Sequence, residues 1–250
     1  MLAVLLVLFA LQQPETMSLL GKPLFAPPLS KDDRGAREAA LAAARAAHDR
    51  DRANVDAVVA LARAQMALGR VGDSLETLTR AQEVKLDDPR LALERGRGLI
   101  VIRRFEVADR ELRKAADTLP EAPCALGMAL YLTADYPHAR EQFARCADPG
   151  IFAYLADWRT GPSAMPRPIL DPPNPAVKPG HATHASLTAG YLAAMERLKQ
   201  RDTAGARDLL KQIVEKEHYS WMDPVYIAAE ADYAKLLKTE GKRHKPKRSS

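Results

Sequence analysis

The chain has 250 residues, of which 47% are hydrophobic and only 6% aromatic, enough apolar material for one large core or two small ones. Its formal net charge of +5 comes from the end of the sequence, because residues 241–250 contain five Lys and Arg and no acidic residue. The other 32 basic residues (37 less five) equal the 32 Asp and Glu, which argues against a body with a basic nucleic-acid-binding face.

The first eleven residues, MLAVLLVLFAL, carry no charge. A transmembrane helix needs about 20 apolar residues, so the run 1–11 is too short to span a bilayer, but it suits the apolar core of a secretory signal peptide. No Lys or Arg precedes it, and no small-x-small cleavage site follows it. We expect export to the periplasm or the extracellular space. Membrane association through an uncleaved N-terminal segment is the alternative.

The next segment, residues 12–33, is rich in proline and lacks helical periodicity, which predicts an extended lead. Ser30 is followed by Asp33, a capping-box pattern with Asp in place of Glu that marks the start of a helix. Residues 34–158 then predict a succession of helices.

This helical region contains a sequence repeat, with spacings of 34 and then 31 residues. The matching positions in its three copies are Ala62, Gly96 and Gly127; Val71, Phe105 and Tyr136; Ser74, Ala108 and Ala139; and Leu78, Leu112 and Phe143. The small residues of the first and third sets lie twelve apart in each copy. This spacing predicts two antiparallel helices that cross closely through small side chains.

These residues resemble the tetratricopeptide repeat. The resemblance rests on Leu126-Gly127, Ala139 and Phe143 in one copy and on Gly96, Ala108, Leu112 and Pro120 in another. The aromatic residue usual early in the first helix is replaced by Val58, Ala92 and Pro123, and Arg95 occupies a normally apolar place. The resemblance implies an all-α, right-handed superhelical stack of antiparallel helix hairpins that serves as a binding scaffold and not as an enzyme.

The repeat extends beyond its three clear copies. Ala40, Ala44 and Ala47 lie 34 residues before Ser74, Leu78 and Ala81, which indicates an incomplete leading repeat. Towards the other end, Ala194 and Ala206 recover the twelve-residue spacing. A proline-rich linker (159–183), with seven prolines in 162–179, separates the array (34–158) from a predicted C-terminal hairpin and capping helix (184–240) and a basic tail (241–250).

The resemblance also implies a concave groove built from the first helix of each repeat. Its partner-binding positions would be Val59, Arg63 and Met66; Leu93, Arg97 and Ile100; and Cys124, Met128 and Tyr131. Two arginines one repeat apart favour an acidic-hydrophobic protein segment as the ligand. The alternative is that Met128 and Tyr131 only pack in the core. The lysines and asparagines of the family's chaperone-tail clamp are absent from these positions.

Two further residue pairs are candidate sites. Antiparallel packing would bring Cys124 and Cys146 together, which allows a disulfide, although two buried, reduced cysteines are equally consistent with the sequence. His181 and His184 lie three residues apart near Asp171, and this is the weaker alternative of a metal-dependent enzyme site. No phosphate-binding loop, nucleophile elbow or paired-carboxylate motif is present, so we predict no catalytic residue, metal or cofactor.

The sequence therefore predicts a non-catalytic scaffold that binds a protein or peptide segment in its groove. A second hypothesis makes the repeats a support for the proline-rich segment and the basic tail, which would then carry the interaction. The basic tail could also make weak contact with a membrane surface. No specific nucleic-acid partner is expected, and the sequence leaves the oligomeric state open.

Overall fold

The computed structural model describes residues 13–84, 88–161, 165, 168 and 183–243. Of these residues 72% are helical, and the fold is an all-α solenoid of the tetratricopeptide kind. Its eleven helices in the described ranges are α1 (Lys31–Arg50), α2 (Val55–Ala67), α3 (Val71–Glu83), α4 (Pro89–Val101), α5 (Phe105–Arg113), α6 (Ala122–Leu132), α7 (Tyr136–Ala144), α8 (Ile151–Thr160), α9 (His184–Lys199), α10 (Thr203–Lys216) and α11 (Pro224–Arg243). None of these helices is both long and apolar enough to cross a membrane.

Side-chain caps set the start of several helices. Helix α1 begins at Lys31, earlier than the predicted position 34, because the Ser30 hydroxyl accepts a hydrogen bond from the Asp33 N–H at 3.0 Å. Four other residues cap a helix in the same way. Their side chains accept hydrogen bonds from N–H groups that the first turn of a helix leaves free. They are Asn54 before α2, Asp88 before α4, Thr183 before α9 and Asp202 before α10.

Four hairpins, α2/α3, α4/α5, α6/α7 and α9/α10, pack successively and share one type of turn. Each turn has a residue with positive φ after its first helix: Gly69, Arg103, Ala134 and Arg201. In every case the next N–H bonds back five residues, as from Arg104 to the Leu99 carbonyl at 2.8 Å, which is the Schellman arrangement. These turn residues are 34, 31 and 67 positions apart, so the structure repeats in the register that the sequence predicts.

The predicted close helix crossings are present. A Cβ atom on Gly96 would lie 2.4 Å from Leu112 Cγ, and one on Gly127 would lie 2.7 Å from Phe143 Cε1. Any larger residue would push the paired helices apart, so glycine lets large side chains of the second helix fill the space between them. A continuous apolar core then extends from α4 to α11, with two smaller clusters under α1–α3.

The lead forms a short antiparallel hairpin of β1 (Thr16–Met17) and β2 (Pro23–Leu24). The lead packs against the turn between α2 and α3. Ala26 and Pro27 contact Gly69, and the Glu15 carboxylate accepts a hydrogen bond from the Gly72 N–H. The lead also contacts the C-terminal helices, because the Trp221 indole N–H donates to the Phe25 carbonyl at 2.7 Å.

The C-terminal helices fold back onto the array. Helix α11 packs on α9 and α10 and also contacts α6. In the turn between α4 and α5, the Arg103 guanidinium makes an ion pair with Glu230 of α11 at 2.7 Å. The predicted proline-rich linker between α8 and α9 lies largely outside the described residues.

Candidate functional site

A cleft of about 770 Å³ lies where the array meets the C-terminal helices. We call it the junction cleft. The array contributes Arg97 and Ile100 of α4, Met128 of α6 and Phe152 of α8, and the C-terminal part contributes His184 of α9 and Val225 and Ile227 of α11. Its walls are mainly apolar and its polar groups are few, which is typical of sites that bind ligands.

Two arginines lie at one edge of the cleft or just outside it. Glu94, buried in α4, accepts hydrogen bonds on the same oxygen from Arg63 at 2.6 Å and from Arg97 at 2.9 Å. The hydrogen bond to Glu94 also raises the pKa of Arg63 above its ordinary value. Both arginine side chains are about half exposed. Among Arg63, Arg97 and Glu94, two guanidinium groups therefore share one carboxylate.

The opposite edge is formed by groups that bond to one another. His184 Nδ1 lies 2.8 Å from Asp223 Oδ2, and the Thr188 hydroxyl donates to the His184 carbonyl. Asp148 accepts a hydrogen bond from the Gly150 N–H. The bonds of His184 and Thr188 order the region where α9 and α11 begin, the Asp148 bond orders the residues before α8, and the His184 side chain is 66% exposed.

A buried polar network beside the cleft fixes the C-terminal helices. The Tyr131 and Tyr191 hydroxyls are 2.9 Å apart, Tyr191 donates to Asp232 at 2.7 Å, and Arg159 makes an ion pair with Asp232 at 2.7 Å. Burial raises the pKa of both tyrosines, so they stay neutral at neutral pH. The Arg159 guanidinium also stacks on the Tyr136 ring. This network joins α6, α8, α9 and α11 and serves packing.

The structure divides the predicted groove residues between the junction cleft and the rest of the fold, and the two apolar ones in the cleft, Ile100 and Met128, are only 7% exposed and also belong to the core. Arg97, Ile100, Cys124 and Met128 line the junction cleft. Arg63 lies outside it and reaches its edge only through Glu94. The other four predicted groove residues are buried or half-buried: Val59, Met66, Leu93 and Tyr131.

The second wall of the cleft was not predicted from the sequence. Val225, Ile227 and His184 come from helices that the sequence indicates only as a hairpin and a cap. Their apolar periodicity signals burial, but nothing in it shows which part of the array they face.

A second depression, of about 510 Å³, lies between α1, α2 and α3. Its charged lining residues are Arg45, Arg52, Arg80, Asp49, Asp73 and Glu76. Because charges of both signs are interspersed along it, this surface selects for no single ligand chemistry.

Cys124 and Cys146 form a disulfide, with Cα atoms 4.9 Å apart. The bond joins the first turn of α6 to the residues that follow α7. Because Cys124 lines the junction cleft, the bond fixes one of its walls.

The histidine pair considered as a metal site is only partly described. His184 contacts Asp223, whereas His181 and Asp171 lie outside the described residues. Within the described part of the chain no three His, Cys, Asp or Glu side chains are grouped as metal ligands would be.

Comparison with protein families finds a match between residues 33–95 and a model described as the tetratricopeptide repeat. Residues 33–95, about a quarter of the chain, are therefore similar to the tetratricopeptide repeat. The match extends from α1 into α4, and hairpins α4/α5 and α6/α7 continue the same register. Comparison with curated proteins finds no match. Tetratricopeptide repeats generally bind proteins or peptides and are typically non-catalytic, so the molecule has the architecture of a protein-interaction scaffold.

Proposed function

We propose that this protein is a non-catalytic scaffold that binds one segment of a partner protein in the junction cleft. The observation that carries the proposal is the cleft itself. Helices of the repeat array and the C-terminal helices together form the walls of an open cleft of about 770 Å³, in which a partner's apolar side chains can be buried. Burial of one or two large apolar side chains contributes roughly 1.5–3 kcal/mol each.

The charges at the cleft edge favour a segment that also carries a carboxylate. Arg63 and Arg97 share the carboxylate of Glu94, and the charge of Glu121 also acts on Arg63, so Arg97 has only a shared carboxylate within this group. A guanidinium binds a carboxylate through two parallel hydrogen bonds and can also stack on aromatic rings. The best ligand is therefore a short peptide with apolar residues for the cleft and an Asp, a Glu or a C-terminal carboxylate that lies against Arg97.

Blocking the cleft mouth tests the proposal. Ala185, the second residue of α9, lines the cleft and is exposed, so Ala185→Trp should fill the mouth without disturbing the core. Peptides selected from a random display library on the wild-type protein should bind Ala185→Trp at least about tenfold more weakly. Affinity would be measured by fluorescence polarisation.

The chain offers matched controls for both parts of the site. Ala204 is exposed at the second position of α10, so Ala204→Trp should bind the peptides as the wild type does. Arg63→Gln/Arg97→Gln should weaken the binding of acidic peptides. Arg80→Gln/Arg110→Gln makes the same charge change on α3 and α5, the second helices of their hairpins, and should not weaken it. Selected peptides that bind Ala185→Trp with unchanged affinity would place the binding site elsewhere.

We also propose that the protein is exported, to the periplasm or beyond the cell. The proposal rests on the apolar run 1–11, which lies outside the described residues, and on the disulfide geometry of Cys124 and Cys146. Disulfides persist in oxidising compartments and are rare in the cytosol. Alkylation of free thiols in the native host, followed by mass spectrometry, should leave both cysteines unmodified, and two alkylated cysteines would contradict export.

A further inference from the structure

The N-terminal hairpin presents an apolar face to solvent. Met17 and Pro23 are paired across the two strands, as are Thr16 and Leu24. Side chains alternate between the faces of a strand, and paired residues share one face. Met17 and Pro23 therefore share the outward face, and Phe25, two residues after Pro23, lies on the same side. Leu24 points inward and is buried, whereas Met17 is 49% and Phe25 43% exposed.

Exposed large hydrophobic side chains are concentrated in this hairpin. The described residues include seven of them: Met17, Leu19, Phe25, Val84, Met165, Tyr219 and Leu237. Three of the seven fall within residues 17–25, and the others are spread along the rest of the chain. Single scattered exposed apolar residues are ordinary, whereas contiguous exposed apolar patches mark protein or membrane interaction sites as they grow larger. We call Met17, Leu19 and Phe25 the hairpin face.

The hairpin is fixed to the protein through its backbone, which leaves these side chains free. The Leu19 N–H donates to Glu230 of α11 at 2.8 Å, and the Phe25 carbonyl accepts from the Trp221 indole at 2.7 Å. The Glu15 carboxylate, just before β1, accepts a hydrogen bond from the Gly72 N–H of α3 at 3.2 Å and so also fixes the hairpin to the array. The hairpin face is thus an ordered apolar surface.

The sequence that leads into the hairpin is apolar as well. The uncharged run 1–11 ends five residues before Thr16, and Lys22, in the hairpin turn, is exposed. An apolar surface with a flanking cation suits the boundary between lipid headgroups and acyl chains. A stable protein–protein contact buries about 800 Å² on each partner, which is more than three side chains can provide.

We propose that the hairpin face rests on the surface of a lipid bilayer, with Met17, Leu19 and Phe25 inserted at the level of the headgroups. This membrane contact is independent of the junction cleft, which lies between the array and α9 and α11. It would hold the scaffold at a membrane while the cleft remains open to its partner.

Vesicle flotation tests the proposal. The full chain, mixed with vesicles of phosphatidylcholine alone or with added phosphatidylglycerol, should float with the lipid in a density gradient. Met17→Ser/Phe25→Ser should bind about tenfold more weakly, because two partly inserted apolar side chains are lost. Val84→Ser/Leu237→Ser removes two exposed apolar side chains elsewhere and should float as the wild type does. Circular dichroism would verify that both variants fold.

Several results would overturn the proposal. The first is a wild-type chain that stays with the soluble fraction. The second is equal flotation of Met17→Ser/Phe25→Ser and the wild type, which would assign membrane binding to residues 1–11 or to the basic tail. A third is a dimer in sedimentation velocity without lipid that Met17→Ser/Phe25→Ser abolishes, because the hairpin face would then bind a second copy.

A spectroscopic probe measures insertion directly. In Phe25→Trp the new indole should shift its emission to the blue when vesicles are added, and brominated lipids should quench it. The wild type, whose Trp158 and Trp221 are half-buried and buried, should show a much smaller change. An unchanged Phe25→Trp spectrum would contradict insertion.

Discussion

Three residues other than glycine adopt positive φ in the described part of the chain: Arg103 at 64°, Ala134 at 67° and Arg201 at 63°. This conformation brings Cβ too close to the following carbonyl oxygen and costs about 1–2 kcal/mol for most residues. At Arg103 the side chain compensates, because its guanidinium pairs with Glu230. Ala134 is exposed and its methyl group offers no comparable interaction.

We therefore predict that Ala134→Gly stabilises the protein. Glycine adopts the left-handed conformation without strain, so the free energy of unfolding should rise by about 0.5–1 kcal/mol after allowance for glycine's larger unfolded-state entropy. Urea denaturation would measure the change. The control, Ala60→Gly, replaces an exposed alanine inside α2 and should lower stability by about 1 kcal/mol. A loss of stability in Ala134→Gly would show that the turn is not strained by alanine.

At the scale of the helix, the structure explains why Arg95 occupies a normally apolar place in α4. It makes an ion pair at 2.8 Å with Glu111 of α5, which also bonds to Lys114 and Gln82. Burial by itself would raise the pKa of Glu111, but the bonds from Lys114 and Gln82 and the charge of Arg95 lower it overall. The carboxylate thus remains charged, and α4 and α5 are joined by a polar contact where the family usually has an apolar one.

The repeated helices could be predicted because each hairpin depends on local spacing. The small residues twelve apart and the large ones that fill the space beside them, such as Gly96 with Leu112, lie within one hairpin of sequence. The hairpin of the lead was missed for the opposite reason. Its two strands have two residues each, too few for a visible alternation, and contacts with residues as distant as Glu230 hold it in place.

The candidate site was predictable only on the array side. The family positions Arg97, Ile100 and Met128 all line the cleft, although Ile100 and Met128 are only 7% exposed, whereas Tyr131 and Leu93 at equivalent inward positions are buried away from it. Tyr131 is buried because the C-terminal helices fold back over the end of the array, where Tyr191 reaches Tyr131. That contact spans 60 residues of sequence, and no local pattern encodes it.

For the whole molecule, the decisive contact is between Arg103 and Glu230, which joins the array, the C-terminal helices and the lead. The side chains are 3% and 0% exposed and 2.7 Å apart. Arg103 also donates to the Trp221 carbonyl at 3.0 Å, and the second oxygen of Glu230 accepts from the Leu19 N–H at 2.8 Å. A buried ion pair of this kind adds little over an apolar pair of the same shape, but the loss of one partner leaves the other charge buried alone.

Glu230→Gln should therefore lower the free energy of unfolding by about 3–5 kcal/mol, measured by urea denaturation. Glu240→Gln, on the same helix, breaks a half-exposed ion pair with Arg207 and should cost less than about 1 kcal/mol. The double variant Arg103→Met/Glu230→Leu should recover much of the loss, because it removes both charges. If Glu230→Gln lowers the free energy of unfolding no more than Glu240→Gln does, this ion pair does not hold α11 on the array.

If Glu230→Gln lowers the free energy of unfolding as expected, α11 will also pack less firmly beside the cleft. Glu230→Gln will then bind the selected peptides more weakly, because Val225 and Ile227 form one wall of their site.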